Sequence, residues 1–151
     1  MKAANDEFQE RRGKSTELIE HMLTERNQLL ALMLQVNEAN AGENEQDLME
    51  RLAEFRQVLV DYIAAGHFGL YERIVQGNER RKAVSDRAVD LYPKIETITE
   101  IALAFDERYD PEDETPNYTH LTEDLSRLGE ELTTRIELED ELIQLMLPKR
   151  K

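Results

Sequence analysis

The chain has 151 residues, with 33 Asp and Glu against 19 Lys and Arg, a net charge of −14, and neither cysteine nor tryptophan. That length suits one domain burying about two-thirds of its unfolded surface, and the missing cysteine excludes a disulfide framework, a thiolate nucleophile and any cysteine-ligated metal. A surface this negative repels phosphate backbones and anionic lipid, which argues against direct binding of nucleic acid or membrane and favours a basic protein partner.

The opening "MKAANDEFQERR" has no apolar core and does not read as a signal peptide. The longest apolar run, Leu29–Leu34, is too short to span a bilayer, so a cytoplasmic protein is expected. Six Gly and four Pro are few, which favours helix over sheet. Apolar residues recurring with a 3.6-residue period predict the first helix from about Ser15 to Glu38, with Leu18, Met22, Leu29, Met33 and Val36 on one face and Ser15 or Thr16 as N-cap. A break follows within Asn37–Asn44. The second helix begins near Asn44 and carries Leu48, Leu52, Phe55, Leu59, Tyr62 and Ile63 inward. Gly66 suits the position just past a helix end, so a short helix is expected to restart at His67 and fade at Gln76–Asn78.

The next helix spans about Ser85 to Tyr109, its inner face being Ala88, Leu91, Tyr92, Ile95, Ile98 and Ala102, with Pro93 expected to kink or restart it. Asp110–Asn117 reads as a loop. The last helix, about Thr119 to Leu147, aligns Leu121, Leu125, Leu128, Leu132, Ile136, Ile143 and Met146. Long amphipathic helices with short connections predict an all-α protein, an antiparallel four-helix bundle with an additional short helix after the second long one. Between Glu96 and Leu147, 16 acidic residues face three basic ones, so this segment carries −13 of the total charge. It is either a surface for a basic partner or a solvated face kept soluble by like charge.

Three charges fall inside apolar stripes. Glu139 lies at the centre of the last stripe with Arg135 beside it, and Arg26 falls between Met22 and Leu29 on the first helix. Buried charges are almost never left alone. These three are expected to pair as a polar layer or line a cleft, unless the arginine stems reach water at the helix edge. Chemistry-bearing motifs are scarce. Carboxylate-bridged metal bundles need Glu-x-x-His pairs, but His21, His67 and His120 follow Leu18, Ala64 and Asn117 at that spacing. No phosphate loop or nucleophile elbow is present. No catalytic residue, cofactor or metal is therefore assigned.

The stretch "VDYIAAGHFGLYERI", Val60 to Ile74, concentrates two Gly, a lone His, two Tyr and a Phe. It resembles the most distinctive segment of the Rsd/AlgQ family, bacterial regulators that bind the primary sigma factor of RNA polymerase. The family pattern is close to Asp-Tyr-x-Ser/Ala-Ala-Gly-His-Phe-x-Ile/Leu-Tyr-Glu, and Asp61, Tyr62, Ala65, Gly66, His67, Phe68, Tyr71 and Glu72 match it. "RIELEDELI" (Arg135–Ile143), "LYPKIETIT" (Leu91–Thr99) and "LIEHMLTERNQLL" (Leu18–Leu30) continue the likeness over nearly the whole chain. Where the family usually has Asp-Arg-Trp in the first helix, this chain has Glu20, His21 and Met22.

The resemblance implies a helical bundle with anti-sigma activity, its partner being the sigma factor's C-terminal region, which reads the promoter −35 element, with region 2 as a further contact. On the residues themselves, the stretch is expected to be a helix junction that is also part of the partner surface. Gly66 allows the turn, Tyr62 and Tyr71 face inward, and His67 is a structural hydrogen-bonder. Asp61, Phe68 and Glu72 are the candidate contacts: Asp61 projects away from the core stripe, and Phe68 offers an aromatic anchor. The alternative is a ligand- or metal-binding bundle using Arg26, Arg135, Glu139 and His67. Oligomeric state, monomer or weak dimer, is left open.

Overall fold

The computed structural model describes residues 2–75, 82–110 and 117–146. Among them every regular element is a helix: α1 (Lys2–Ala41), α2 (Glu45–Gly66), a π-helical turn (His67–Tyr71), α3 (Glu72–Val75), α4 (Lys82–Arg108) and α5 (Leu121–Met146). The four long helices form an antiparallel bundle in which α1 packs on α2, α2 on α4, α4 on α5, and α5 on α1. Cross-helix bonds fix the directions. Arg51 donates to Gln35 between α2 and α1, Arg87 pairs with Glu141 and Arg108 with Asp124 between α4 and α5, and Asn40 donates to Thr122 between α1 and α5. None of these helices is long and apolar enough to cross a membrane.

Local chemistry sets several boundaries. The Gly42 N–H reaches back to the Glu38 and Ala39 carbonyls and ends α1. The Asn44 side chain accepts from the Asp47 N–H, which together with Glu45 and Asp47 in the first turn starts α2. Before α5, the Asn117 side chain accepts from the Thr119 N–H.

The structure corrects four expectations. Helix α1 runs back to Lys2, so Ser15 and Thr16 lie inside it and neither caps it; the preceding residues are rich in Ala, Glu, Gln and Arg, all good helix formers. Of the kink or restart expected at Pro93, the restart does not occur, since α4 is continuous through it; the Pro93 carbonyl accepts from the Thr97 hydroxyl one turn later. Ile136 is only half-buried, because Arg135 and Glu139 occupy the middle of the stripe. Gly66 does not sit past a helix end: its φ of −65° and ψ of −46° are ordinary right-handed helix, and the backbone passes directly into the π-helical turn. The expected fade at Gln76–Asn78, most of the expected loop Asp110–Asn117, and the Met146 side chain lie outside the described residues.

Candidate functional site

The three charges inside the stripes meet in the bundle interior. Arg135 and Glu139 are fully buried and Arg26 is 7% exposed. Arg135 Nε donates to Glu139 Oε2 at 3.1 Å, and Arg135 Nη1 donates to Thr99 Oγ1 of α4 at 2.6 Å. The Tyr62 hydroxyl of α2 donates to Glu139 Oε1 and accepts from Arg26 Nε of α1 at 3.1 Å. Arg26 Nη1 donates to Asp140 Oδ1 at 2.6 Å, at the half-exposed end of the network. Arg26 Nη2 lies 3.5 Å from Glu139 Oε1, an ion pair without hydrogen-bond geometry. One layer therefore joins all four long helices, two guanidiniums against two carboxylates.

Protonation follows from the environment. Burial pushes the Tyr62 phenol well above the usual tyrosine range, and the Glu139 charge adds to this against the opposing pull of Arg26. The phenol is thus held as an O–H, able to donate to Glu139. Burial alone would lower Arg26, but its bonds to Tyr62 and Asp140 and the Glu139 charge outweigh it and hold the guanidinium proton more tightly than usual. Tyr71 is pushed up as well, by burial first and then by Glu139. Its ring lies 5.9 Å from the Arg135 guanidinium, and its buried hydroxyl has no hydrogen-bond partner among the described residues.

This layer sits against the unusual stretch. A Cβ on Gly66 would stand 3.1 Å from both Arg135 Nη2 and Glu139 Oε2, so Gly66 is there for close approach and not for a turn. Directly after it the ladder widens: the Glu72 N–H bonds to the His67 carbonyl, five residues back. Tyr62, Gly66, Leu70, Tyr71 and Ile74 are buried, while Asp61, His67 and Phe68 are exposed and Glu72 is half-buried. Phe68 is 66% exposed. His67, expected as a structural hydrogen-bonder, faces outward, its ring edge-on to Phe68 with centroids 4.9 Å apart. Asp61 Oδ1 accepts from Gln57 at 3.2 Å on the solvent side. Of the first-helix departures, Met22 is buried in the core, and Glu20 and His21 are exposed.

A recess of about 130 Å³ beside the turn is lined by His67, Tyr71, Tyr92, Glu96, Thr99 and Arg135, among others. A more open groove of about 380 Å³ between α4 and α5 has Phe105, Arg108, Asp124 and Arg127 in its walls, with Arg108 already paired to Asp124. Among the described residues no three His, Asp or Glu side chains converge as metal ligands would. Sequence reasoning missed Tyr62, Thr99 and Asp140 as members of the layer, and it missed the π-helical turn. The spacing 62, 66, 70–71, 74 holds its trace, one residue out of step with a continuous 3.6 period.

Comparison with known proteins adds an independent finding. The model of the family described as "Regulator of RNA polymerase sigma(70) subunit, Rsd/AlgQ" matches residues 1–147. The Regulator of sigma D of Shigella dysenteriae serotype 1 is 36% identical over 148 residues, covering 94% of this chain and 91% of that protein. Its counterpart in Enterobacter sp. strain 638 is 38% identical over 141 residues, covering 91% and 85%. No solved structure matches the chain.

Proposed function

The chain belongs to the Rsd/AlgQ family of regulators of the RNA polymerase sigma(70) subunit, and from that premise we propose that it is an anti-sigma factor acting through the outward side of the π-helical turn. It binds the primary sigma factor in the cytoplasm, at the −35-reading C-terminal region and with region 2 as a further contact, and keeps it from core polymerase and promoter DNA. It works by binding and not by catalysis. A DNA-reading module is basic, and the acidic bundle complements it and speeds their encounter.

One observation carries the placement: Phe68, a large aromatic side chain, is two-thirds exposed on a turn whose neighbours Leu70 and Tyr71 are buried. Aromatic side chains that become buried at the centre of an interface can supply much of its binding energy. Asp61 and Glu72, seven residues before it and four after it, fall roughly on the same side and can meet basic side chains. Phe68→Ala and Asp61→Ala should leave the helical circular dichroism unchanged. Each should weaken binding to purified primary sigma factor by at least about 1 kcal/mol in calorimetric titration. Unchanged affinity in both variants would move the interface elsewhere.

A small-ligand bundle is the second reading. It is favoured by the recess that reaches Arg135 and Tyr71, whose hydroxyl lacks a hydrogen-bond partner among the described residues.

A further inference from the structure

The extra residue in the π-helical turn needs a cause. In an uninterrupted α-helix Tyr71, five residues beyond Gly66, would point about 140° away from it. The wider turn returns Tyr71 to the side of Gly66, where its ring meets the Arg135 guanidinium. Gly66 and Tyr71 thus line the seat of one buried ion pair. That pair is tied on both sides, because Thr99 holds Arg135 and Tyr62 holds Glu139. On the far side the same extra residue leaves His67 and Phe68 both outward, ring against ring. Gly69 faces Leu18 of α1, where a Cβ would stand at ordinary contact distance, 3.6 Å from Leu18 Cδ2.

We infer that Gly66, Arg135 and Glu139 are positioning residues for sigma binding: the buried ion pair, seated on the bare backbone of Gly66, holds the π-helical turn and thereby fixes the direction in which Phe68 is presented. The inference rests on the reading of Phe68 as a sigma contact, and the experiment separates the two. The layer touches no partner; it acts through Phe68.

The test is a double-mutant cycle on the full chain, titrated with primary sigma factor. Phe68→Ala alone weakens binding about fivefold or more, and Gly66→Ala alone about tenfold. The double variant binds no more weakly than the worse single one, because Gly66 has nothing left to position. A layer that merely stabilised the fold would give multiplying losses, and that result overturns the inference. So does unchanged affinity in Gly66→Ala. The chain has no tryptophan, so Phe68→Trp supplies one emission band at the turn. Adding Gly66→Ala to it should shift the emission maximum, even if Phe68→Ala shows that the turn is not the sigma contact. An unshifted maximum overturns the positioning whatever the partner does. Should Gly66→Ala fail to fold, Thr99→Ala, which frees one nitrogen of Arg135, takes its place in both measurements with the same expected outcomes.

Discussion

The two halves of the bundle are built on different physics. Toward the α1–α2 connection the interior is apolar: Leu29, Val36, Leu52, Phe55, Leu121 and Leu128 are almost fully buried. There Phe55, Phe105, Tyr109 and Tyr118 run ring to ring, with centroids 5.9, 4.8 and 6.3 Å apart. Toward the π-helical turn the same cross-section holds Arg26, Tyr62, Arg135 and Glu139. Apolar burial is non-directional and accepts side chains of similar volume. A buried charge accepts only the partner that faces it. The apolar half supplies burial, and the polar half restricts which side chains can face one another.

Three measurements bear on that contrast. The largest effect should come from Glu139→Leu, which leaves two guanidiniums facing each other without their shared carboxylate. Urea unfolding should show a loss of about 3–5 kcal/mol. A loss below about 1 kcal/mol would mean that the arginines reach water and that the halves do not differ. In the apolar half, Leu52→Ala should cost about 3 kcal/mol by opening a cavity. The sharper comparison pairs two conservative changes. Leu52→Met should cost less than about 1.5 kcal/mol. Arg135→Lys, which keeps the charge but loses the planar fork to Glu139 and Thr99, should cost more than that. Equal costs would erase the distinction.

The smallest effect is read from pH. Tyr62 and Tyr71 both have phenols raised by burial and by Glu139. In the unfolded chain they lose their protons near pH 10. Their contribution is therefore fully present below about pH 10 and is lost as pH rises above it, by up to about 1.4 kcal/mol per pH unit for each phenol. Urea midpoints between pH 9 and 11 should show Tyr71→Phe with the shallower decline. An identical decline would take Tyr71 out of the alkaline transition.

The sequence is more legible in one half than in the other. A 3.6-residue period is a local signal, and it gives the apolar faces of α2, α4 and α5 from Leu48 to Ile143 with little error. Arg26 on α1 and Arg135 and Glu139 on α5 were visible as intruders on apolar faces, because burial follows from the stripe even when the partner is unknown. Their bonding was not visible. Nothing local to Tyr62, Thr99 or Asp140 says that its oxygen meets a guanidinium from another helix. Gly66 was misread for the same reason: a glycine that ends a helix and one that admits a foreign side chain look alike in sequence. The propensities of His67 to Tyr71 give no sign of the π-helical turn. The family was legible because the motif from Asp61 to Glu72 is specific, and the match over residues 1–147 bears it out.

The Arg26–Glu139 contact also governs how the chain assembles. α1 with α2 and α4 with α5 are two hairpins, each closed by neighbouring helices in sequence, and Arg26 reaches from one to the other. Were the hairpins to dock one helical turn out of place, Arg26 would face Arg135 in one direction or Ile143 in the other. The first alternative sets like charges together, and the second strands a cation in hydrocarbon. Leucine ridges alone would tolerate either slip, since one turn of an apolar stripe resembles the next. The key therefore penalises both slipped registers and favours the native docking of the two hairpins.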